Sequence, residues 1–280
     1  MNHTSSSTGH RARSDAEGLR EVLARSDFVA VLTGAGISAE SGVPTFRGPG
    51  GLWRNWRPED LATPEAFAHD PRLVWEWYDW RRSLIRKAEP NLGHRALAKL
   101  ESRKAGQSPL RAPANQTPAP QCSERPEHDA VGQGCFTLIT QNVDGLHERA
   151  GSQGLVKLHG DIWRLCCVGC GLTERNEQVP LDPLPPRCRC GTLMRPGVVW
   201  FGEPLPEDEW RRAVEASRRA QIFLLVGTSA VVYPAAGLAE LALEAGARLA
   251  IVNPEPTPFD HLADWVLRGP AGEILPQVCQ

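Results

Sequence analysis

Residues 28–39 read FVAVLTGAGISA, an apolar run that leads directly into two closely spaced glycines. The run over 28–33 predicts a buried strand, and Gly34 and Gly36 predict a tight turn at the start of a helix. Such a turn lets backbone N–H groups approach the pyrophosphate of a dinucleotide, and a helix N-terminus favours negative charge. A glycine turn also forms without a ligand, but its position directly after a strand favours a nucleotide site.

Further short apolar runs extend a sheet outward from this first strand. They cover residues 136–140, 155–158, 222–226, 248–252 and 265–267. Helical stretches over 207–220 and 235–246 separate the later runs at the spacing of βαβ units. The sequence therefore predicts an α/β fold with a doubly wound, mostly parallel, Rossmann-like sheet.

The segment 41–53, SGVPTFRGPGGLW, argues against a dehydrogenase. A dehydrogenase would continue with a second strand that ends in an acid for the ribose. The density of Pro and Gly here forbids a central strand. We therefore expect a loop that covers the cofactor and carries Phe46 and Arg47 close to its phosphates.

Five of the eight cysteines lie between Cys166 and Cys190, in close pairs. This spacing predicts a metal site rather than disulfides, and four thiolates would close a tetrahedral structural Zn²⁺ site. Ligand spacing favours Cys167, Cys170, Cys188 and Cys190 over a set that includes Cys166. The single residue between Cys188 and Cys190 is shorter than the usual gap and leaves the geometry open. Free buried thiols are the remaining alternative.

Composition divides the chain into three parts. Residues 1–17 are expected to form a disordered tail, and 161–200 a small zinc-binding module. Residues 18–160 and 201–280 are expected to form the Rossmann-like nucleotide-binding domain. Within it, 102–134 is rich in Pro, Ser, Gln and Gly and predicts a disordered insertion.

Charge and hydropathy bear on partners and location. The formal net charge of −2 provides no global basic field, so we expect no specific binding to nucleic acid. No apolar run approaches the ~20 residues of a membrane helix, so we expect a soluble protein without membrane contact. We expect a cytoplasmic monomer, with a mitochondrial address as the alternative because Ser, Thr, Arg and His dominate the N-terminus.

A set of motifs in a fixed order resembles those of the sirtuins, the NAD-dependent protein deacylases. The resemblance covers about residues 18–278, apart from the insertion. Besides the cysteine pairs, its motifs are GAGISAESGVPTFRG (34–48), TQNVDGLHERAG (140–151), KLHG (157–160), RPGVVWFGE (195–203), GTS (227–229) and NPE (253–255). The resemblance implies NAD as cofactor, one structural zinc ion and acyl-lysine proteins as substrates. It also implies that the acyl group passes from lysine to ADP-ribose and that nicotinamide is released.

The resemblance assigns roles to individual residues. His159 matches the base that accepts a proton from a ribose hydroxyl, although a lone histidine at a strand end is more often structural. Asn142 is assigned to catalysis with it, and Gln141, Asn142 and Asp144 match residues that hold nicotinamide and ribose. The full expected NAD-binding set is Gly34, Ala35, Gly36, Ser38, Phe46, Arg47, Gln141, Asn142, Asp144, Gly227, Thr228, Ser229, Asn253, Glu255 and Ala271.

Tyr78 and Arg81 lie three residues apart in the predicted helix 73–87 and therefore share one face. A phenol beside a guanidinium suits a carboxylate, whereas the alternative is a solvated arginine on an aromatic-rich helix. The pair resembles the Tyr-x-x-Arg of the sirtuin branch that removes malonyl, succinyl and glutaryl groups, and Ala62 matches the small residue of that branch's pocket. We therefore expect desuccinylase and demalonylase activity, with weaker deacetylation.

Val199, Trp200 and Phe201 match the segment that pairs with an extended substrate peptide. Two other functions remain open: a mono-ADP-ribosyltransferase that cleaves NAD in the same way, and a non-catalytic NAD or zinc interaction module. Nicotinamide release distinguishes them, because a binding module releases none and a transferase releases it without an acyl-lysine.

Overall fold

A six-stranded parallel sheet forms the centre of the structure, a computed structural model that describes residues 5–46, 51–52, 57–106 and 135–280. The strands are β1 (Val29–Thr33), β2 (Phe136–Thr140), β3 (Leu155–Lys157), β7 (Ile222–Val226), β8 (Arg248–Val252) and β9 (Trp265–Leu267). Their order across the sheet is β3-β2-β1-β7-β8-β9. The chain thus winds outward from β1 in one direction and from β7 in the other, which confirms the predicted doubly wound α/β sheet.

Helices cover both faces of this sheet. On one face lie α1 (Ser5–Arg25), α6 (Leu92–Gly106) and α10 (Ala271–Val278); on the other lie α8 (Glu207–Arg219) and α9 (Gly237–Glu244). Successive strand residues point to opposite faces, so Val29 and Val31 join the first cluster while Ala30 and Leu32 join the second. Burial on both faces explains why these strands are continuous apolar runs.

The N-terminal helix corrects the prediction of a disordered tail over 1–17. Helix α1 begins at Ser5, and residues 1–4 lie outside the described part of the chain. Leu19 and Leu23 share one helix face and are 0% and 1% exposed, in the same cluster as Leu275 of α10. This buried stripe fixes the last turns of the helix, and no proline interrupts its extension toward the N-terminus.

Helix α6 also differs from the prediction, because it continues through 102–106, within the predicted insertion. Lys104 is 2% exposed and donates to the carbonyls of Ala24 at 3.2 Å and Ser26 at 2.7 Å. It therefore caps the C-terminal end of α1, and this buried contact holds the last turn of α6 in place. The rest of the predicted insertion, 107–134, lies outside the described residues.

A third hydrophobic cluster joins helix α5 (Pro71–Lys87) to a small antiparallel sheet. That sheet consists of β4 (Gly160–Cys167), β5 (Thr173–Arg175) and β6 (Met194–Val198) in the order β5-β4-β6. Trp75 is fully buried between the two and donates its indole N–H to the carbonyl of Met194 at 2.8 Å. The cysteine-bearing module therefore packs directly on the helix that carries Tyr78 and Arg81.

Short helices complete the connections around the sheet. They are α2 (Gly36–Ala39), α3 (Pro58–Leu61), α4 (Pro64–His69) and α7 (Leu146–Arg149). Among the helices that the structure describes, none combines the length and apolar character needed to span a bilayer.

Candidate active site and zinc site

A cavity of about 670 Å³ lies where the order of the strands reverses, between the loops that follow β1 and β7. Ligands of doubly wound sheets bind at this point, because the connections there diverge to opposite faces. Most predicted site residues line the cavity: Gly34, Ala35, Gly36, Phe46, Ala62, Tyr78, Arg81, Gln141, Asn142, His159, Val199, Trp200, Phe201, Gly227, Thr228, Ser229, Asn253 and Glu255.

The glycines of the first turn allow two loops to touch. The N–H of Gly36 donates to the carbonyl of Gly227 at 2.7 Å, and a Cβ on Gly36 would lie 2.7 Å from the same oxygen. Gly227 has φ +58°, and its Cβ would lie 2.3 Å from the nitrogen of Ile37. A side chain at either position would push the two loops apart. Gly36 and Gly227 are therefore needed for the close packing of these loops beside the cavity.

Two residues predicted to contact NAD, Ser38 and Asp144, lie behind the cavity wall rather than on it. The Ser38 hydroxyl donates to the Asp144 carboxylate at 2.8 Å, and burial raises the pKa of that carboxyl group. The Asn142 side-chain amide donates to the carbonyl of Gly34 at 3.0 Å. The same amide also donates to the Ser38 hydroxyl at 3.4 Å, so Ser38 and Asp144 support the position of Asn142 from behind the wall.

The same buried network contains residues that the sequence analysis did not single out. Thr33 donates its hydroxyl to Thr140 at 2.8 Å and lies 3.0 Å from Nε2 of His147. The rings of His147 and His94 are 4.9 Å apart, and Nε2 of His94 lies 3.4 Å from the Ser38 hydroxyl. Burial lowers the pKa of His94 to about 4 and also lowers that of His147, so both rings are neutral at pH 7. The sequence feature that could have revealed this network is the pair Thr33 and Thr140, which end the adjacent strands β1 and β2.

His159 lies on the cavity wall just after β3. Its Nδ1 is 3.1 Å from the carbonyl oxygen of Gln141, which can only accept a hydrogen bond. Nδ1 therefore carries the proton, and Nε2 keeps the lone pair that a general base requires. Burial lowers the pKa of His159, against a smaller opposing effect of the Gln141 carbonyl. The imidazole is thus neutral at pH 7 and can accept a hydroxyl proton.

The opposite part of the cavity is built around Arg81. This arginine is only 7% exposed, so the alternative of a solvated arginine is wrong. Its guanidinium carbon lies 4.7 Å from the ring centroid of Phe46, 4.9 Å from that of Trp77 and 6.0 Å from that of Tyr78. Within the described ranges no residue forms a hydrogen bond or an ion pair with Arg81. Burial lowers its pKa, yet a guanidinium remains protonated in proteins.

Tyr78 and Ala62 lie beside Arg81 and contact the segment predicted to bind peptide. The indole N–H of Trp200 donates to the Tyr78 hydroxyl at 2.9 Å, and the Phe201 N–H donates to the Ala62 carbonyl at 2.9 Å. Val199 donates its N–H to the carbonyl of His159 at 3.0 Å. The segment 199–201 therefore bridges the His159 end and the Arg81 end of the cavity.

Several further wall residues were not predicted. Val143 and Glu203 lie within two of the quoted motifs, so their position beside predicted site residues could have identified them from the sequence. Trp77 shares helix α5 with Tyr78, and Tyr233 follows the GTS motif closely. The additional wall residues are Ala39, Thr45, Trp77, Val143, Val198, Gly202, Glu203, Leu205, Val232, Tyr233, Pro234 and Pro254.

Besides Ser38 and Asp144, two more predicted NAD-binding residues are absent from this wall, for different reasons. Ala271 is the first residue of α10 and is 3% exposed, away from the cavity lining. Arg47 lies outside the described residues.

The four favoured cysteines come together at one end of the small module. All four Sγ atoms of Cys167, Cys170, Cys188 and Cys190 lie within 4.8 Å of one another, with 3.5 Å between Cys167 and Cys190 and 3.7 Å between Cys170 and Cys188. Four thiolates at ~2.3 Å around a tetrahedral ion would be about 3.8 Å apart, so the cluster fits one Zn²⁺.

The short gap between Cys188 and Cys190 is accommodated by a tight turn. Gly191 has φ +88° and donates its N–H to the carbonyl of Cys188 at 2.8 Å. Cys166 is excluded from the cluster because adjacent strand residues point in opposite directions, and its sulfur lies 3.5 Å from the Thr173 hydroxyl instead. The ligand set that includes Cys166 is therefore wrong.

Known proteins similar to this chain share both its length and its fold. The profile of the Sir2 family matches residues 34–109 and 128–234. The NAD-dependent protein deacylase 2 of Pyrobaculum aerophilum is 50% identical over 261 residues, which make up 93% of this chain and 93% of that protein. The NAD-dependent protein deacylase of Aquifex aeolicus is 51% identical over 251 residues, 89% of this chain and 93% of that protein.

Solved structures agree with the sequence comparisons. A Sir2 homologue in complex with NAD is 43% identical, with a TM-score of 0.78, and the match covers 94% of this chain and 92% of that chain. A Sir2 structure with a p53 peptide and NAD⁺ is 33% identical, with a TM-score of 0.75 and coverage of 94% and 96%. On the family profile and on relatives that match along nearly its whole length, the chain belongs to the Sir2 family.

Proposed function

We propose that the chain removes dicarboxylic acyl groups, above all succinyl and malonyl, from lysine side chains of proteins, and that it removes acetyl groups more slowly. As a member of the Sir2 family about 50% identical to named deacylases, the chain is an NAD-dependent protein deacylase. The acyl preference rests on one observation, the buried guanidinium of Arg81 in the cavity wall.

The cavity divides into a cofactor end and an acyl end. The loops after β1, β7 and β8 would hold NAD, which supplies the ADP-ribosyl group that accepts the acyl group. His159 supplies a neutral imidazole for a hydroxyl proton, and Asn142 presents a fixed amide. The main chain of Val199 and Phe201 is tied to His159 and Ala62, which fixes the segment on which we propose that an extended peptide lies.

Arg81 requires an anionic partner. A buried charge is costly unless it is paired and hydrogen-bonded. The described residues give Arg81 aromatic faces and the attraction of the Asp144 carboxylate, but neither a hydrogen bond nor an ion pair. The carboxylate at the end of a succinyl or malonyl group would supply this partner and accept two parallel N–H bonds. An acetyl group has no such carboxylate and would leave the guanidinium unpaired.

The small side chain of Ala62 supports the same proposal. Ala62 lines the cavity with Tyr78 and Arg81, and a methyl side chain leaves space for the additional carbons of a dicarboxylic acyl chain. The phenol of Tyr78 provides a second polar group at this end. Neither the mono-ADP-ribosyltransferase nor the non-catalytic module accounts for a buried arginine, a phenol and a small residue that line the same cavity.

A competition assay tests the proposal. Equal amounts of succinyl-lysine and acetyl-lysine peptides of one sequence are incubated with the enzyme and NAD, and products are measured by mass spectrometry. We expect faster loss of succinyl, with O-succinyl-ADP-ribose and nicotinamide formed in equal amounts. Preferential loss of acetyl would refute the acyl preference but keep the deacylase. Nicotinamide release without loss of either acyl group would favour the transferase, and no release at all would favour the binding module.

A further inference from the structure

The hydroxyl of Tyr78 can only accept the hydrogen bond that it makes with Trp200. Tyr78 is 3% exposed, and its oxygen lies 2.9 Å from Nε1 of Trp200. An indole N–H is a donor only, so the phenol oxygen must accept. Among the residues described, none accepts the phenol's own proton. The proton of Tyr78 is therefore available to a group in the cavity.

Trp200 is held firmly in the position that makes this bond. Its main-chain N–H donates to the Glu203 carboxylate at 2.8 Å. The guanidinium carbon of Arg195 lies 3.6 Å from the Trp200 ring centroid, and Nη2 of Arg195 donates to Glu203 at 2.8 Å. Phe67 contacts the ring as well, with 5.4 Å between ring centroids. The indole cannot rotate away without breaking the contacts on both sides.

We infer that Trp200 is a positioning residue for acyl recognition: its N–H occupies the acceptor side of the Tyr78 hydroxyl and directs the phenolic proton toward a carboxylate beside Arg81. A free hydroxyl can present either its proton or its lone pairs, and lone pairs would repel a carboxylate. Burial raises the pKa of Tyr78, so the phenol keeps the proton that it donates. This inference rests on the acyl preference proposed above and adds a residue from another part of the chain.

Replacing Trp200 can act in two ways, through the peptide-binding segment and through the Tyr78 hydroxyl, and these two effects can be separated. Trp200 also lies in the segment predicted to bind the peptide, and any loss through that segment affects succinyl and acetyl peptides of one sequence equally. The Tyr78 proton matters only for an acyl group that ends in a carboxylate. The ratio of kcat/KM for the two peptides therefore reports the positioning role alone.

The main test is Trp200→Phe, which removes the N–H and keeps an aromatic ring. Loss of one positioned hydrogen bond should lower kcat/KM for the succinyl peptide roughly five- to tenfold, mainly through KM. Any loss through the peptide-binding segment should lower kcat/KM of both peptides by the same factor, so the succinyl-to-acetyl ratio itself should fall roughly five- to tenfold. Trp80→Phe is the matched control, because Trp80 is 42% exposed on the same helix as Tyr78 and lies outside the cavity.

A double-mutant cycle with Tyr78→Phe identifies the route of the effect. If Trp200 acts through the phenol, Trp200→Phe leaves the succinyl-to-acetyl ratio unchanged once the Tyr78 hydroxyl is absent. If Trp200→Phe fails to fold, as judged by its melting transition, Trp200 is replaced by 3-benzothienylalanine. That residue keeps the bicyclic shape and has sulfur in place of N–H.

The outcomes distinguish this inference from the proposed function. A parent enzyme that prefers succinyl, with an unchanged ratio after Trp200→Phe or benzothienylalanine substitution, overturns the inference alone. Independent, multiplicative losses in the double variant overturn it as well. A parent enzyme without preference for succinyl overturns the acyl proposal and this inference with it.

Discussion

Replacing Arg81 by Met isolates the charge on which the proposed acyl preference depends. Met keeps an unbranched apolar side chain and removes the guanidinium, whose central carbon faces the rings of Phe46, Trp77 and Tyr78. Truncating one partner of a buried hydrogen-bonded charge pair costs ~2–5 kcal/mol. Because the cavity opens to solvent, we expect the lower part of this range, or roughly a 30- to 150-fold loss of kcat/KM for the succinyl peptide.

The same variant should lose little in two other measurements. Acetyl turnover should change by less than about threefold, since an acetyl group makes no carboxylate contact. The free energy of unfolding should stay the same or rise by about 1 kcal/mol, because the substitution removes a buried cation that no described residue pairs. Both follow from the claim that the substrate, rather than the protein, supplies the counterion.

Steady-state kinetics on succinyl and acetyl peptides of one sequence, with thermal unfolding in parallel, measure these effects. Arg86→Met is the matched control, because Arg86 lies on the same helix, has a side chain 58% exposed and pairs with Glu177 at 3.1 Å. The control should leave the succinyl-to-acetyl ratio unaltered. Equal losses on both peptides after Arg81→Met, or a large drop in stability with the ratio preserved, would show that Arg81 has a structural role and does not bind the acyl carboxylate.

Three further predictions concern the metal, the base and the buried histidines. Cys167→Ser should lose bound zinc and lower the melting temperature while Cys166→Ser retains about one zinc per chain, by metal analysis; equal zinc in both variants would contradict the assigned ligands. The acid limb of kcat/KM should lie below pH 6.5, since burial lowers the pKa of His159 and only the neutral ring accepts a proton; an acid limb above pH 7 would contradict this. The free energy of unfolding should fall as pH falls from 6.5 to 4, because the unfolded state binds the proton that buried His94, with a pKa of about 4, does not. The His94 share is about 3 kcal/mol at pH 4, and His94→Gln should flatten the pH dependence measured by urea unfolding.

The sheet could be predicted because its strands are buried on both faces. Residues 136–140, 222–226, 248–252 and 265–267 are apolar runs whose predicted bounds match the strands. The C-terminal ends of helices α1 and α6 could not be predicted in this way. They depend on a contact between distant segments, the Lys104 ammonium on the carbonyls of Ala24 and Ser26, which leaves no local pattern in the sequence.

The candidate site shows a similar division. Its motifs follow the ends of parallel strands, so residues far apart in sequence meet at one edge of the sheet. Which side chains reach the cavity depends on hydrogen bonds that the sequence does not specify. Ser38 donates to Asp144 behind the wall, and Trp200 contacts Tyr78 across a sequence separation of 122 residues. The sequence thus indicated the members of the site better than their individual contacts.

A crystal structure of the enzyme with a succinyl-lysine peptide would show directly whether Arg81 binds the acyl group. We expect the acyl carboxylate within about 3 Å of the Arg81 guanidinium nitrogens and of the Tyr78 hydroxyl. We also expect the Trp200 N–H to donate to that hydroxyl. An acyl carboxylate that points to solvent, with Arg81 left against its aromatic neighbours, would show that Arg81 does not select the acyl group.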